Sequence, residues 1–167
     1  RAMERHEDGE SEMHGGAGSL AVSHLPYCHP TTDAFVAASA NLGLRATRDL
    51  NDGSEVDSAG PIQVTIGNGR RCSSHDAFLA PAMGRRNLTV QTGVLARRIT
   101  FEGRRATGVE YECDGQIRHA SARRVVVSSG AVNSPQLLML SGIGPARELA
   151  ALGIEVVHDL PGVGRNF

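Results

Sequence analysis

Apolar and polar positions alternate at Ile62, Val64 and Ile66, a period of two that predicts a half-buried strand within "PIQVTIGNGRR". Gly67-Asn68-Gly69 closes that run as a turn. From Asn87 the pattern is the same on a larger scale. The runs "NLTVQTGVLARRITFEG", "RRATGVEYECDG", "QIRHASA" and "RRVVVSSGA" follow one another, with hairpin-type turns at Glu102-Gly103 and Asp114-Gly115. They predict one longer strand, a two- or three-stranded antiparallel excursion, and then Val125–Ser128. That last segment is apolar on both faces, as expected of a buried parallel strand.

Helical patterns lie on either side. "TTDAFVAASANLGL" predicts a helix over Ala34–Asn41, capped by Thr32 or Asp33 and stopped at Gly43. "SSHDAFLAPA" predicts a second, capped by Ser73 or Ser74 and ending near Leu79 because of Pro81. "PQLLML" predicts a short buried helix with Ser134 as cap and Pro135 at its first position, ended by Ser141-Gly142. Ala146–Leu152 predicts a helix stopped at Gly153, and "IEVVHDL" a strand before the turn "PGVG". The polar start, "HEDGESEMHGGAGS", reads as a loop, and "SLAVSHL" as a short strand. The change of character after "MGRRN" puts a subdomain boundary near Gly84, dividing the chain into 1–84 and 85–167.

Composition narrows the classes. The 167 residues suffice for one ordinary core. A net charge of −1, from 17 basic and 18 acidic residues, gives no electrostatic case for nucleic acid. No apolar run approaches the roughly 18 residues of a membrane span, and the polar start carries no secretory signal. Cys28, Cys72 and Cys113 are scattered, which predicts reduced thiols in a cytoplasmic protein. The chain begins at Arg1 rather than Met and ends at "LPGVGRNF", so it reads as cut at both ends.

Several motifs offer chemistry that their context withholds. Gly16-Ala17-Gly18-Ser19-Leu20-Ala21 matches the GxGxxA of dinucleotide sites. No buried strand precedes it and no helix follows, so it reads as a plain glycine-rich loop. His24, Cys28 and His29 are three possible metal ligands in a short span, but no partner pair completes a four-ligand set. Ser73, Ser74, His75 and Asp76 carry the letters of a triad without its geometry; an N-cap and a first-turn acid explain them. The Arg pairs at 70–71, 85–86, 97–98, 104–105 and 123–124 read as solvated edges. The turn after Val125–Ser128 stays open between two readings. It is either a tight strand-to-helix turn or the place beyond a strand's carboxyl end where α/β sheets bind ligands.

"GAVNSPQLLMLSGIG", Gly130–Gly144, resembles the second signature of the glucose–methanol–choline (GMC) oxidoreductases, and the similarity extends through most of the chain. "HGGAGSLAV", "DLNDG", "NGRRCSSHDAFLAPA", "RRNLTVQTGVLARRITFEGRRATGVEY" and "ALGIEVVHDLPGVGRNF" resemble the family's successive middle blocks. The resemblance implies an α/β fold (α+β overall). It would be part of an FAD-binding Rossmann-like domain with an antiparallel excursion, plus part of a sheet-and-helix substrate domain. It implies FAD as cofactor, a small-molecule alcohol as substrate, and oxidation of its CH–OH group by hydride transfer to flavin. Backbone at Ala96, near Val94, would meet the adenine edge. Ser129, Gly130 and Ala131 would lie beside the dinucleotide, with Ser134, Pro135 and Gln136 starting the helix behind it. The family's GxGxxG and catalytic His are not among these residues. No role as base therefore passes to His6, His14, His24, His29, His75, His119 or His158, and the isolated chain is expected to be inactive. Oxygen, a quinone and a cytochrome all stay open as electron acceptor. The rival reading is a non-catalytic α/β nucleotide-binding or interaction module.

Overall fold

The structure is a computed structural model that describes residues 1–54 and 56–166. The chain divides into two compact units, Arg1–Val90 and Gln91–Phe167.

In the first unit, β1 (Glu4–His6) pairs in parallel with β2 (Leu20–Val22), setting His6 opposite Val22. The predicted polar loop thus contributes a strand at its start. The strand is short and polar, Glu-Arg-His, so no apolar period announces it. The loop folds back along β1, with Gly15 accepting the His6 N–H at 2.8 Å and Gly18 donating to the Glu4 carbonyl at 2.8 Å. β2 forms where "SLAVSHL" predicts it.

Helix α1 (Pro30–Asn41) starts earlier than its sequence signals suggest. Pro30 takes the first turn, and His29, not Thr32 or Asp33, caps it by accepting the Thr31 N–H at 3.2 Å. Its end follows the glycine signal. Leu44 N–H reaches the Ser39 carbonyl at 3.2 Å and Gly43 N–H the Ala40 carbonyl at 3.0 Å, a Schellman arrangement.

β3 (Arg45–Ala46) and β4 (Ser58–Ala59) pair in parallel. The predicted strand over Ile62–Ile66 is instead a single antiparallel bridge, Val64 to Ser23, and the predicted turn closes a tight hairpin of β5 (Ile66–Gly67) and β6 (Arg70–Arg71). Val64 and Ile66 are half-buried as the alternation predicts, but Ile62 is left 64% exposed. Asn68 and Gly69 both adopt positive φ, 54° and 70°, the requirement of a type I′ turn.

The second predicted helix is a π-helical turn, His75–Leu79, running into a 3₁₀ turn, Ala80–Ala82. The regular turn ends at Leu79 as Pro81 requires, but Pro81 is accommodated at the start of the tighter turn. The Ser73 hydroxyl and Asp76 bond each other across the first turn, Oγ to Oδ2 at 2.5 Å. Ala21, Ala59 and Ala77 supply buried apolar side chains in this unit.

The second unit opens on a three-stranded antiparallel meander, β7 (Val94–Glu102), β8 (Arg105–Cys113) and β9 (Gln116–Ser121). Both predicted turns are present. Asp114 and Gly115 have φ of 51° and 72°, and Gly103 has φ of 57° in a loop one residue later than Glu102-Gly103. Irregularities interrupt the β7–β8 register between Ala96 and Arg98 and between Thr100 and Phe101. Arg97 pairs with Glu112 at 2.8 Å and Arg98 with Glu110 at 2.9 Å, so these basic residues lie on the sheet surface as cross-strand ion pairs.

Beyond the meander come α2 (Gly130–Leu140), β10 (Ile143–Gly144), α3 (Ala146–Ala151) and β11 (His158–Asp159), with β10 and β11 parallel. Ile99, Leu137 and Leu149 are the buried apolar side chains here, and Leu149 is fully enclosed. The buried Ser141 ties helix to strand. Its Oγ accepts the Ile99 N–H at 2.8 Å and donates to the Leu137 carbonyl at 2.5 Å. α3 ends as predicted, with Gly153 and Ile154 donating to Ala150 and Leu149.

Three expectations are corrected in this unit. Val125–Ser128 pairs with no strand among the described residues, and Val126 is 78% exposed. A β-branched run becomes a strand only where another strand takes its N–H and C=O groups. α2 begins at Gly130, so Ser134 is not its cap and Pro135 lies inside it. Ser134 Oγ instead accepts the Ser129 N–H at 2.9 Å. Lastly, α2 is not buried all round; of its residues only Leu137 is fully buried.

Candidate functional site

Gly130 has φ of +86°, a conformation open to glycine and costly to other residues. This lets the chain swing directly from Ser129 into α2. A Cβ at Gly130 would meet no atom within 4 Å, so the surface beside it is open. The first four N–H groups of a helix have no partner within it, and the helix dipole adds partial positive charge there. The start of α2 therefore presents exposed backbone donors at Ser129–Ala131's end of the element, where an anionic or polar group is favoured. Ser134 and Pro135 are half-buried one turn in, and Gln136 is exposed.

Val94 and Ala96 lie on β7, the outer strand of the meander, and both are exposed. One side of β7 pairs with β8, and the other leaves main-chain groups for a different partner. Ile99 uses its outward N–H on Ser141. Ala96 pairs with Tyr111 of β8, and the register slips immediately after it, between Ala96 and Arg98. Among the described residues no hydrogen bond joins Val94 or Ala96 to residues 129–136. The strand and helix meet at the other end of α2, through Ser141. A cleft of about 860 Å³ lies at that end, lined by Arg98, Thr100, Arg104, Gly142 and Val157 and by none of the sequence-predicted site residues.

Each of the histidines has a polar neighbour of its own. His29 caps α1, His75 stands 3.7 Å from Asp76, and His119 stands 3.9 Å from Glu110. His158 lies 3.4 Å from Arg104. His14 is buried between two carboxylates, Nδ1 to Glu4 at 2.9 Å and Nε2 to Asp49 at 2.8 Å. The Glu4 hydrogen bond holds its pKa above the ordinary value, against the opposing effect of burial. Glu4 is lowered in turn by the Gly15 backbone N–H and by His14. For Asp49, burial pushes upward, but the Asn51 N–H and His14 together outweigh it and the net shift is down. Asp76 is lowered to about 2 by the Ser73 hydroxyl and N–H.

The glycine-rich GxGxxA stretch runs into β2 and not into a helix, as its context predicts. A Cβ on Gly18 would fall 2.1 Å from the Met3 carbonyl carbon, so this glycine serves a backbone crossing. The sequence trio His24, Cys28 and His29 does not assemble either, since His29 is engaged as a cap. His24 instead meets Asp8, Nε2 to Oδ2 at 2.7 Å, close to His6. Residue-by-residue reading misses this cluster. The signal is positional: His6 pairs with Val22 at the ends of β1 and β2, and Asp8 and His24 each follow two residues later, where their side chains meet.

A family model for GMC oxidoreductases matches residues 1–167. The chain belongs to the GMC oxidoreductase family. It is 46% identical over 168 residues to the mitochondrial choline dehydrogenase of Homo sapiens, a match covering 100% of this chain and 28% of that protein. Among solved structures, pyridoxine 4-oxidase from Mesorbium loti superposes with a TM-score of 0.85 at 37% identity, over 96% of this chain and 32% of that one. An FAD-dependent oxidoreductase from Chaetomium thermophilum gives a TM-score of 0.83 at 28% identity, over 95% of this chain and 28% of that one. The chain thus spans about 28% of the length of the human relative. Its mixture of helices with parallel and antiparallel strands is an α/β portion of this family's fold. Among the described residues no helix is long and apolar enough to cross a membrane.

Proposed function

We propose that the protein carrying this chain is an FAD-dependent oxidoreductase that oxidises the CH–OH group of a small alcohol, with choline-like alcohols the first class to test. The observation that carries the reading is the match of the whole chain, at 46% identity, to a choline dehydrogenase. The FAD-dependent neighbour of similar fold and the oxidase acting on pyridoxine by name support the same chemistry. The surface at Gly130, open and with exposed N–H donors, suits a dinucleotide.

Residues 85–167 form part of the FAD-binding domain in this reading, and residues 1–84 part of the substrate domain. β7 holds the adenine edge through main-chain groups at Val94 and Ala96, which leaves side-chain identity free. Ser129, Gly130 and Ala131 lie against the dinucleotide, with glycine at the one position whose φ would strain another residue. Ser134 fixes the approach to α2 through the Ser129 N–H, while Pro135 and Gln136 form the helix behind. When bound, the flavin supplies the hydride acceptor. No histidine of this chain is assigned the substrate proton. The three free thiols, Cys28, Cys72 and Cys113, fit a reducing compartment, and the cytoplasm is the proposed location.

The test is a flavin titration. The full-length protein should purify with bound flavin that choline or another small alcohol bleaches without oxygen. The isolated 167-residue chain should stay colourless when mixed with FAD. A full-length protein without flavin, or with flavin that no alcohol reduces, would overturn the reading.

A further inference from the structure

The parallel register of β1 and β2 places three ligand residues on one patch of the first unit. His6 pairs with Val22, and the side chains of Asp8 and His24, each two residues beyond a strand end, meet there. His24 Nε2 lies 2.7 Å from Asp8 Oδ2, and one ligand atom from each of His6, Asp8 and His24 falls within 4.8 Å of the other two. The rings of His6 and His24 stand edge to face with centroids 5.6 Å apart. We propose that His6, Asp8 and His24 form a binding site for a divalent transition metal of the zinc class, with two imidazoles and one carboxylate as protein ligands.

Three features favour a metal over a simple ion pair. The donor set, two nitrogens and one oxygen, is the one that suits zinc and its neighbours and not magnesium or calcium. Ligand atoms around tetrahedral zinc stand about 3.3 Å apart, given bond lengths near 2 Å, so modest side-chain rotation closes the cluster on an ion. The rings are also held by surrounding contacts, as metal ligands are. His6 is buried, its Nδ1 accepts the Asp8 N–H at 3.2 Å, and its Nε2 lies 2.9 Å from the Gln63 amide; a bound ion would take the place of one of these partners, and the other would orient the ring. His14 stacks on His6 at 4.3 Å, with both its own nitrogens engaged by Glu4 and Asp49. Glu7 accepts the His24 backbone N–H and fastens that segment. Asp8 is exposed and His24 half-buried, so solvent reaches the remaining coordination position. A bound ion would staple the chain after β1 to the chain after β2.

The full-length protein, stripped with a chelator, should bind one equivalent of cobalt(II) with visible d–d absorption. Zinc should displace the cobalt, and excess magnesium should not. His24→Ala and Asp8→Asn should each weaken binding at least tenfold, whereas His29→Ala should leave it unchanged. Zinc should raise the melting temperature of the parent protein but not of His24→Ala. Asp8→Asn changes an exposed side chain and decides the matter if His24→Ala fails to fold. Absence of cobalt binding, or equal binding by the parent and Asp8→Asn, would overturn the site. Loss of binding in His29→Ala with retention in Asp8→Asn would also overturn it, moving the site to the His24, Cys28 and His29 segment.

Discussion

Gly18 and Gly130 are both glycines in turns, yet for different physical reasons. Gly18 has the Met3 main chain where its Cβ would go, at 2.1 Å, and backbone cannot rotate aside as a flexible side chain could. Gly130 has open space there but a φ of +86°. Gly18→Ala should therefore prevent β1 from docking on the loop, seen as lost expression or a molten first unit by amide exchange. Gly130→Ala should cost only about 1–2 kcal/mol in denaturant unfolding, the strain of a left-handed Ala, while lowering flavin retention in the full-length protein. Equal effects on stability would contradict the distinction. The motif containing Gly18 has the better-known spelling, but its neighbours exclude a dinucleotide site. Gly130 stands in the less familiar context and is the one facing open surface.

At the scale of elements, the Glu4–His14–Asp49 clamp fastens β1 to the loop after β3. The raised pKa of His14, above 6.5, means that its contribution is complete below pH 6.5 and declines as pH rises through the folded value. Glu4 and Asp49 are lowered from 4.5 and 3.8, so their contribution is present above pH 4.5 and lost as pH falls through their folded values. In metal-free protein, stability of the first unit should peak between about pH 4.5 and 6.5. His14→Gln should flatten the alkaline limb of a melting-temperature profile. An alkaline limb unchanged by that substitution would contradict the clamp. Elements governed by local chemistry were legible in the sequence. The type I′ turns at Asn68-Gly69 and Asp114-Gly115, the meander, the Schellman end of α1 and the stop of α3 at Gly153 all rest on residues near in sequence. Val125–Ser128 was not, because a parallel strand needs a partner distant in sequence.

For the whole molecule, the exposed apolar side chains are the informative feature. Val126, Val132, Leu140 and Leu152 are all exposed in the second unit. Their exposure leaves apolar area in water that association would remove. The isolated 167-residue chain should self-associate with rising concentration and bind a hydrophobic dye. Replacing Val126 and Val132 by Ser should shift sedimentation toward monomer. A chain that stays monomeric and dye-free would show that this surface is well solvated as it stands.

Family membership and the antiparallel meander with its turns were determined by sequence, since each depends on residues within a short span. Tertiary structure decided the pairings: which strands find partners, that His29 and not Thr32 caps α1, and that His14 lies between two carboxylates. It also decided that His24 meets Asp8 and His6 instead of Cys28 and His29. These depend on β1 and β2 lying in one register across a 13-residue connection, and side-chain spelling on either strand carries no record of its distant partner.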